Sequence, residues 1–208
     1  MKILHIDSSA RTGGSHSRAL SAHLVAALRA RDPDLIVDRL DLALTPPRHF
    51  GAWEAAATAT PIPEHSLEMR IAIADSDMLV ARVLSADALV IGAPIYNFGM
   101  PSTLKAFFDH ISRNGMTFLA DDAGMRGLLG DKKAAVLSVA GGAYGPGEMF
   151  DGLDALTPHI RAILGFMGVA RPSFIAARPM TFVSADAAHA AFARALREAE
   201  ALAEQWIP

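Results

Sequence analysis

Ala88-Leu-Val-Ile-Gly-Ala-Pro-Ile-Tyr-Asn-Phe-Gly-Met-Pro101 is the stretch on which the fold turns. Residues 88–91 form a short apolar run with nothing for water to solvate, as in a strand covered by helices on both faces. Pro94 withdraws a backbone donor, so the ladder stops near it. Asn97 and Gly99 are the residues expected to enter backbone regions that branched side chains avoid. Pro101 suits a first helical turn, and Ser102 and Thr103 offer capping hydroxyls. Leu104, Phe107, Phe108 and Ile111 then recur at helical spacing. A buried strand thus ends in an aromatic loop at the carboxyl edge of a sheet, where open α/β sheets bind ligands.

Working outward, the same alternation repeats. Residues 2–6 form a first strand, 7–14 a small polar loop, and Ser15 starts a helix whose inner face is Leu20, Leu24, Ala27 and Leu28. Residues 35–42 make a second strand, whose Asp38, Arg39 and Asp41 suit a sheet edge. Segment 45–63 holds prolines at 46, 47, 61 and 63 and no sustained period, and is expected to be a long loop. Residues 64–84 are helical, with Leu67, Ile71, Ala74 and Met78 on one face. Segment 114–131 is a loop or hairpin excursion. Residues 133–139 form a fourth strand, 153–166 a helix, 172–177 a fifth strand and 185–206 a last helix. Strands alternating with helices, without repeat or linker, predict one domain over 1–208. It is an α/β, doubly wound, five-stranded parallel sheet in the order 2-1-3-4-5, with helices on both faces.

Composition narrows the function. The 208 residues are 51% hydrophobic and 20% charged, with a formal charge of −3 and no cysteine. Such a chain buries a real core and gives no electrostatic reason to expect nucleic acid or an anionic membrane. Disulfides and thiolate chemistry are excluded, and a reducing cytoplasm is the expected location. The histidines show no metal-ligand spacing, so no metal is expected. Lys105 and Asp109, four apart on a helix, are expected to pair in solvent.

In the predicted strand order, strands one, three and four lie side by side, which brings three loops together. Ser8, Ser9, Ser15 and Ser17 surround a helix start, which suits either an ordinary cap or an anion. The loop lacks a Walker or dinucleotide fingerprint. Tyr96, Asn97 and Phe98 suit either a packed turn or a ligand-facing loop. Gly141 and Gly142 suit either a tight turn or close backbone approach to a flat ligand.

On these residues, from Ser9 and Ser15-His16-Ser17 through Pro94-Ile-Tyr-Asn-Phe98 to Gly141-Gly142 and Leu164-Gly-Phe166, the chain resembles the FMN-dependent NADH azoreductases. These are flavodoxin-like NAD(P)H quinone reductases. The resemblance implies tightly bound FMN, with its phosphate at Ser9, Ser15, His16 and Ser17. Its ring would meet Pro94, Ile95, Tyr96, Asn97, Phe98, Val139, Ala140, Gly141 and Gly142. Arg11 joins the cofactor set, and Phe118 and Tyr144 are the candidate substrate residues. NADH or NADPH would reduce the cofactor, and quinones or azo compounds would take the electrons in ping-pong order, with reductive azo-bond cleavage. FMN carries the hydride chemistry, so no catalytic side chain is nominated. The resemblance also implies a homodimer with both sites at the subunit interface. The pocket that one chain can assemble is shallow, and segments 45–63 and 114–131, with Phe50, Trp53, Phe118 and Leu119, would supply its missing walls, either folded over their own subunit as a lid or laid against a two-fold partner's site. His16 stands where the family commonly has glutamine, Ala140 where some members have arginine, and His159 where tyrosine is frequent. A flavodoxin-type electron carrier is the alternative, although −3 lacks the strong acidity of such carriers.

Overall fold

A computed structural model describes residues 1–208. Five parallel strands make the sheet: β1 (Lys2–Asp7), β2 (Ile36–Asp41), β3 (Ala88–Pro94), β6 (Lys133–Val139) and β7 (Ser173–Ala177). Their order is β2-β1-β3-β6-β7, the expected 2-1-3-4-5 with β2 at an edge. A second, two-stranded sheet pairs β4 (Phe118–Asp121) with β5 (Gly124–Gly127) antiparallel, so segment 114–131 holds a hairpin.

Period-two alternation divides the core between the two faces of the sheet. Leu4, Ile6, Leu89 and Ile91 pack on one side under α3 (Leu67–Ser85), α4 (Ser102–Ile111) and α5 (Leu156–Phe166). Ile3, Ala88, Val90 and Leu137 pack on the other under α1 (His16–Arg31) and α6 (Ala185–Trp206). Leu104, Phe107, Phe108 and Ile111 of α4 are all buried, as their spacing requires. Lys105 and Asp109 pair at 2.5 Å on its exposed side. No helix is long and apolar enough to cross a membrane.

Three expectations are corrected. Segment 45–63 contains a helix, α2 (Ala52–Ala59), and a short 3-10 turn at Ile62–Glu64. The prolines flank α2 rather than interrupt it, and Glu54 reaches back to accept from the Gly51 N–H at 3.0 Å. The face of α3 carrying Leu67, Ile71 and Met78 is exposed, and Ala72, Ile73, Ser76, Val80 and Val83 are buried instead. The buried face is held by polar contacts: the Ser76 hydroxyl donates to the His110 carbonyl, and Arg113 Nη1 donates to Ser76 at 2.7 Å. Asn97 and Phe98, not Gly99, take the left-handed region, with φ of 47° and 70°.

The backbone angles of Asn97 and Phe98 have a local cause. Tyr96 and Gly99 exchange backbone hydrogen bonds of 2.9 and 3.0 Å across two residues. A two-residue connection of this kind needs positive φ at both central positions, so the demand falls on Asn97 and Phe98.

Candidate functional site

The sheet register sets the site. Asp7 pairs with Gly92, Pro94 with Val139, and Val139 with Ala177, so four loops leave the carboxyl edge beside one another. The first loop is fastened to the central strand, because the Ser8 hydroxyl donates to the Gly92 carbonyl at 2.8 Å. A Cβ added at Gly92 would stand 2.9 Å from Ser21 Oγ and 3.1 Å from the Ser17 carbonyl oxygen. Only glycine lets the first turns of α1 lie this close to β3.

Ser15 caps α1, accepting from the Arg18 N–H, and its hydroxyl lies 3.2 Å from that of Ser17. The N–H groups of His16 and Ser17, in the first turn, have no intrahelical carbonyl to reach. Ser9 Oγ lies 3.3 Å from the Tyr96 hydroxyl, which joins the first loop to the second. Ser9, Arg11, Ser15, His16, Ser17, Pro94, Ile95, Tyr96, Val139, Ala140 and Gly141 line one cavity of about 140 Å³, together with Met180 and Thr181.

Three expected cofactor residues stand at its rim rather than in its lining. Asn97 and Phe98 form the turn beyond Tyr96. At Gly142, an added Cβ would be 2.1 Å from the Phe150 ring, so Phe150 occupies the space that a side chain would need. Phe150 also packs edge-on against Phe98 at 5.5 Å and lies 5.3 Å from Tyr144. Arg178 covers the Tyr144 ring at 5.4 Å and binds Asp154 at 2.8 Å. Burial, and then the nearby Asp154 charge, push the Tyr144 phenol above its usual range and keep it neutral.

Phe118 lies elsewhere. Its ring packs on Phe166 at 4.6 Å, and neither segment 45–63 nor segment 114–131 lines the cavity within this chain. Phe50 sits against His110 at 5.5 Å, whose Nε2 contacts the Arg48 carbonyl at 2.9 Å, and Trp53 is exposed.

Met180 and Thr181 belong to a fourth loop that the motifs did not announce. Their N–H groups donate to the Gly141 carbonyl at 3.1 and 2.8 Å, and Met180 also reaches the Ala140 carbonyl at 3.0 Å. The signal available in the sequence was the strand order itself, which places the end of the fifth strand beside the fourth.

Beneath the first loop lies a charged layer. Arg18 grips Asp41 with bonds of 2.5 and 2.8 Å and donates to the Ser9 carbonyl at 2.7 Å. The Arg18 hydrogen bonds hold the Asp41 carboxyl down at about 2. Asp7 is fully buried, with Ser21 at 2.9 Å, Arg39 at 3.1 Å and His5 at 3.5 Å. Burial pushes its pKa up, but His5, Ser21 and Arg39 outweigh that, and the group lies below the ordinary carboxylate range.

Hydroxyls, free amides, Arg11 and His16 form a donor set suited to a dianionic phosphate. Pro94, Ile95, Val139 and Ala140, with the bare backbone of Gly141, suit a flat ring, so the residues present fit FMN. A sequence profile for proteins of flavodoxin-like fold matches residues 1–203. An FMN-dependent NADH:quinone oxidoreductase of Dechloromonas aromatica is 38% identical over 207 residues, covering 100% of both chains. The chain belongs to this flavodoxin-like family. A second relative in it, the FMN-dependent NADH:quinone oxidoreductase of Xanthobacter autotrophicus, is 45% identical over 167 residues, 80% of each chain. The crystal structure of an azoreductase from Bacillus anthracis superposes on this member with a TM-score of 0.91. It is 25% identical and covers 99% of each chain. An FMN-dependent NADH-azoreductase of the same species, solved in complex with FMN, shares the fold at 20% identity and a TM-score of 0.88, covering 100% of each chain.

Proposed function

We propose that this family member is an FMN-dependent NADH:quinone oxidoreductase that also cleaves azo compounds reductively. The observation that carries the reading is the joining of a hydroxyl- and amide-lined helix start to apolar loop residues, Pro94, Ile95, Val139 and Ala140, within one cavity. The relatives' names supply the donor and the quinone.

Ser9, Ser15, Ser17 and the first amides of α1 would hold the phosphate, with Arg11 adding charge at the open side. Tyr96, bonded to Ser9, fixes the second loop against the first. Pro94, Ile95, Val139 and Ala140 would offer apolar side chains to a ring, Gly141 and Gly142 a close backbone approach, and Asn97 and Phe98 would close its edge. Bound FMN supplies acceptance of two electrons as hydride and their release to an acceptor. The chain's residues bind, orient and exclude water, and no side chain is needed as acid or base. Donor and acceptor, both flat, use the same slot in turn, which gives ping-pong kinetics.

The cavity of about 140 Å³ is smaller than the roughly 300–1,000 Å³ of ordinary ligand sites, so further cover must come from outside it. Leu67, Ile71, Met78 and Trp53 leave an apolar surface in water. Both features, with the family resemblance, support a homodimer whose partner completes each site, with Phe118 serving across the interface. The absence of cysteine from all 208 residues fits a cytoplasmic enzyme.

The test is direct. Purified protein should carry flavin absorbance and oxidise NADH with a quinone, with parallel double-reciprocal lines. Protein without flavin after saturation with FMN defeats the assignment, and intersecting lines defeat the shared slot. Light scattering should give twice 22.0 kDa, and a fully active species of 22.0 kDa refutes the dimer.

A further inference from the structure

Only three residues other than glycine take the left-handed backbone region: Asn97, Phe98 and Phe182. The first two are required by the turn between Tyr96 and Gly99. Phe182 has no such turn to serve. Its φ is 62°, and it is 74% exposed. A bulky residue in that region is a genuine outlier, and an exposed ring recovers little of the penalty through burial.

The neighbouring backbone explains how the conformation is held. On one side, the Thr181 N–H is fixed to the Gly141 carbonyl at 2.8 Å. On the other, Ser184 caps α6, accepting from the Ala187 N–H at 3.2 Å. Phe182 falls between these two fastened points and absorbs the mismatch. A glycine would absorb it without strain, so the phenyl ring itself is what needs a reason.

Position supplies one. A Cβ added at Gly141 would stand 3.9 Å from Phe182 Cε2, so the ring edge lies beside a residue that lines the cavity. Strained residues concentrate at ligand sites because the surrounding structure imposes them there. Phe182 therefore stands largely in water beside Gly141, outside the cavity lining, with Val183 also exposed next to it.

We propose that Phe182 is a specificity-determining residue, an outer stacking surface for flat acceptors with two or more rings. Such acceptors project beyond the cavity mouth, and single-ring quinones end short of it. The proposal rests on the cavity being the site of flavin and acceptor. Offset or edge-on contact between rings gives the preference, and an aliphatic side chain of similar size would not reproduce it.

The experiment compares wild type with Phe182→Ala, Phe182→Trp and Phe182→Gly. KM is measured for 1,4-benzoquinone and for a two-ring naphthoquinone, and thermal unfolding is followed on the same purified proteins at matched FMN concentration. In Phe182→Ala the ratio of two-ring to one-ring KM should rise roughly 2–10-fold, and Phe182→Trp should restore it. Phe182→Gly should show the same rise in ratio while its Tm increases by about 2–4 °C, because the strained backbone is relieved. An unchanged ratio in Phe182→Ala, with wild-type enzyme active, overturns this proposal alone. A lower Tm in Phe182→Gly would make the ring structural, and a change of oligomeric mass would assign it to a subunit contact; either overturns the proposal. Wild-type protein that binds no FMN overturns the reading of the cavity and this inference with it.

Discussion

Replacing Arg18 by methionine keeps the aliphatic stem and removes the charge beneath the first loop. The wild-type guanidinium is 11% exposed and Asp41 is 15% exposed, so water replaces few of the lost bonds. Two bonds to the carboxylate and one to the Ser9 carbonyl disappear together. Breaking a well-buried pair costs about 3–5 kcal/mol, and the partial access of Asp41 brings the expectation to about 3 kcal/mol at neutral pH. For a chain of this size that is a fall of roughly 6–12 °C in Tm. Part of the loss depends on pH. The folded Asp41 has a pKa of about 2 against an ordinary 3.8, so its stabilisation is complete above the ordinary value and disappears as pH falls towards 2. That contribution is about 1–2 kcal/mol after solvent screening. Urea unfolding of FMN-free wild type and variant, at pH 5 and pH 3, isolates it. Asp38 with its Arg82 partner acts in both proteins and cancels, whereas Asp7, 3.7 Å from Arg18 Nη1, loses the same cation and moves the gap in the same direction. The stability gap should narrow by about 1 kcal/mol between the two pH values. A gap that stays constant or widens refutes the Arg18–Asp41 argument.

Ser9→Ala and Ser17→Ala should each weaken FMN by about 1–3 kcal/mol, read by flavin fluorescence titration, and unchanged affinity in the double variant excludes a phosphate there. Gly142→Ala should displace the Phe150 ring, which lies 2.1 Å from the new Cβ, and destabilise the fold by about 1–3 kcal/mol in thermal unfolding. An unchanged melting curve would show that Phe150 moves aside freely. Gly127→Ala places a Cβ 2.0 Å from the backbone nitrogen of Gly168, where neither segment can yield by a side-chain rotation. The β4–β5 hairpin should lift and become sensitive to limited proteolysis, and wild-type resistance would contradict its tight seat beside α5.

The central strand was legible because residues 88–91 had no polar face to offer and Pro94 and Pro101 bounded the loop. α2 was not, because a run dominated by alanine shows no apolar stripe, and its flanking prolines dominated the pattern. α3 carries two stripes at helical spacing. The larger residues, Leu67, Ile71 and Met78, suggested the inner face, while the fold buries the one whose Ser76 and Val80 fit against α4. Serine hydroxyls near a helix start and the aromatic loop announced most of the cavity. Met180 and Thr181 stayed hidden because they contribute backbone N–H groups, which any side chain would leave in place. Phe98 was passed over for Gly99 because residue preference favours glycine, whereas hydrogen bonding between Tyr96 and Gly99 decides which positions must be left-handed.

The parallel order β2-β1-β3-β6-β7 also sets when the cavity can exist during folding. No two neighbours in this sheet are joined by a hairpin: Ile3 must find Ala88, Ala88 must find Lys133, and Ala135 must find Ser173. Each pairing closes a long loop before its contacts reward it, so such sheets assemble slowly. The loop that clamps Gly141 follows the last strand to be synthesised. A nascent chain ending before Ser173 therefore has the helix start and the aromatic turn but no clamp on the glycine loop. In stopped-flow refolding, capture of a flavin should lag the recovery of helical signal, making ligand uptake a marker of the last strand's arrival.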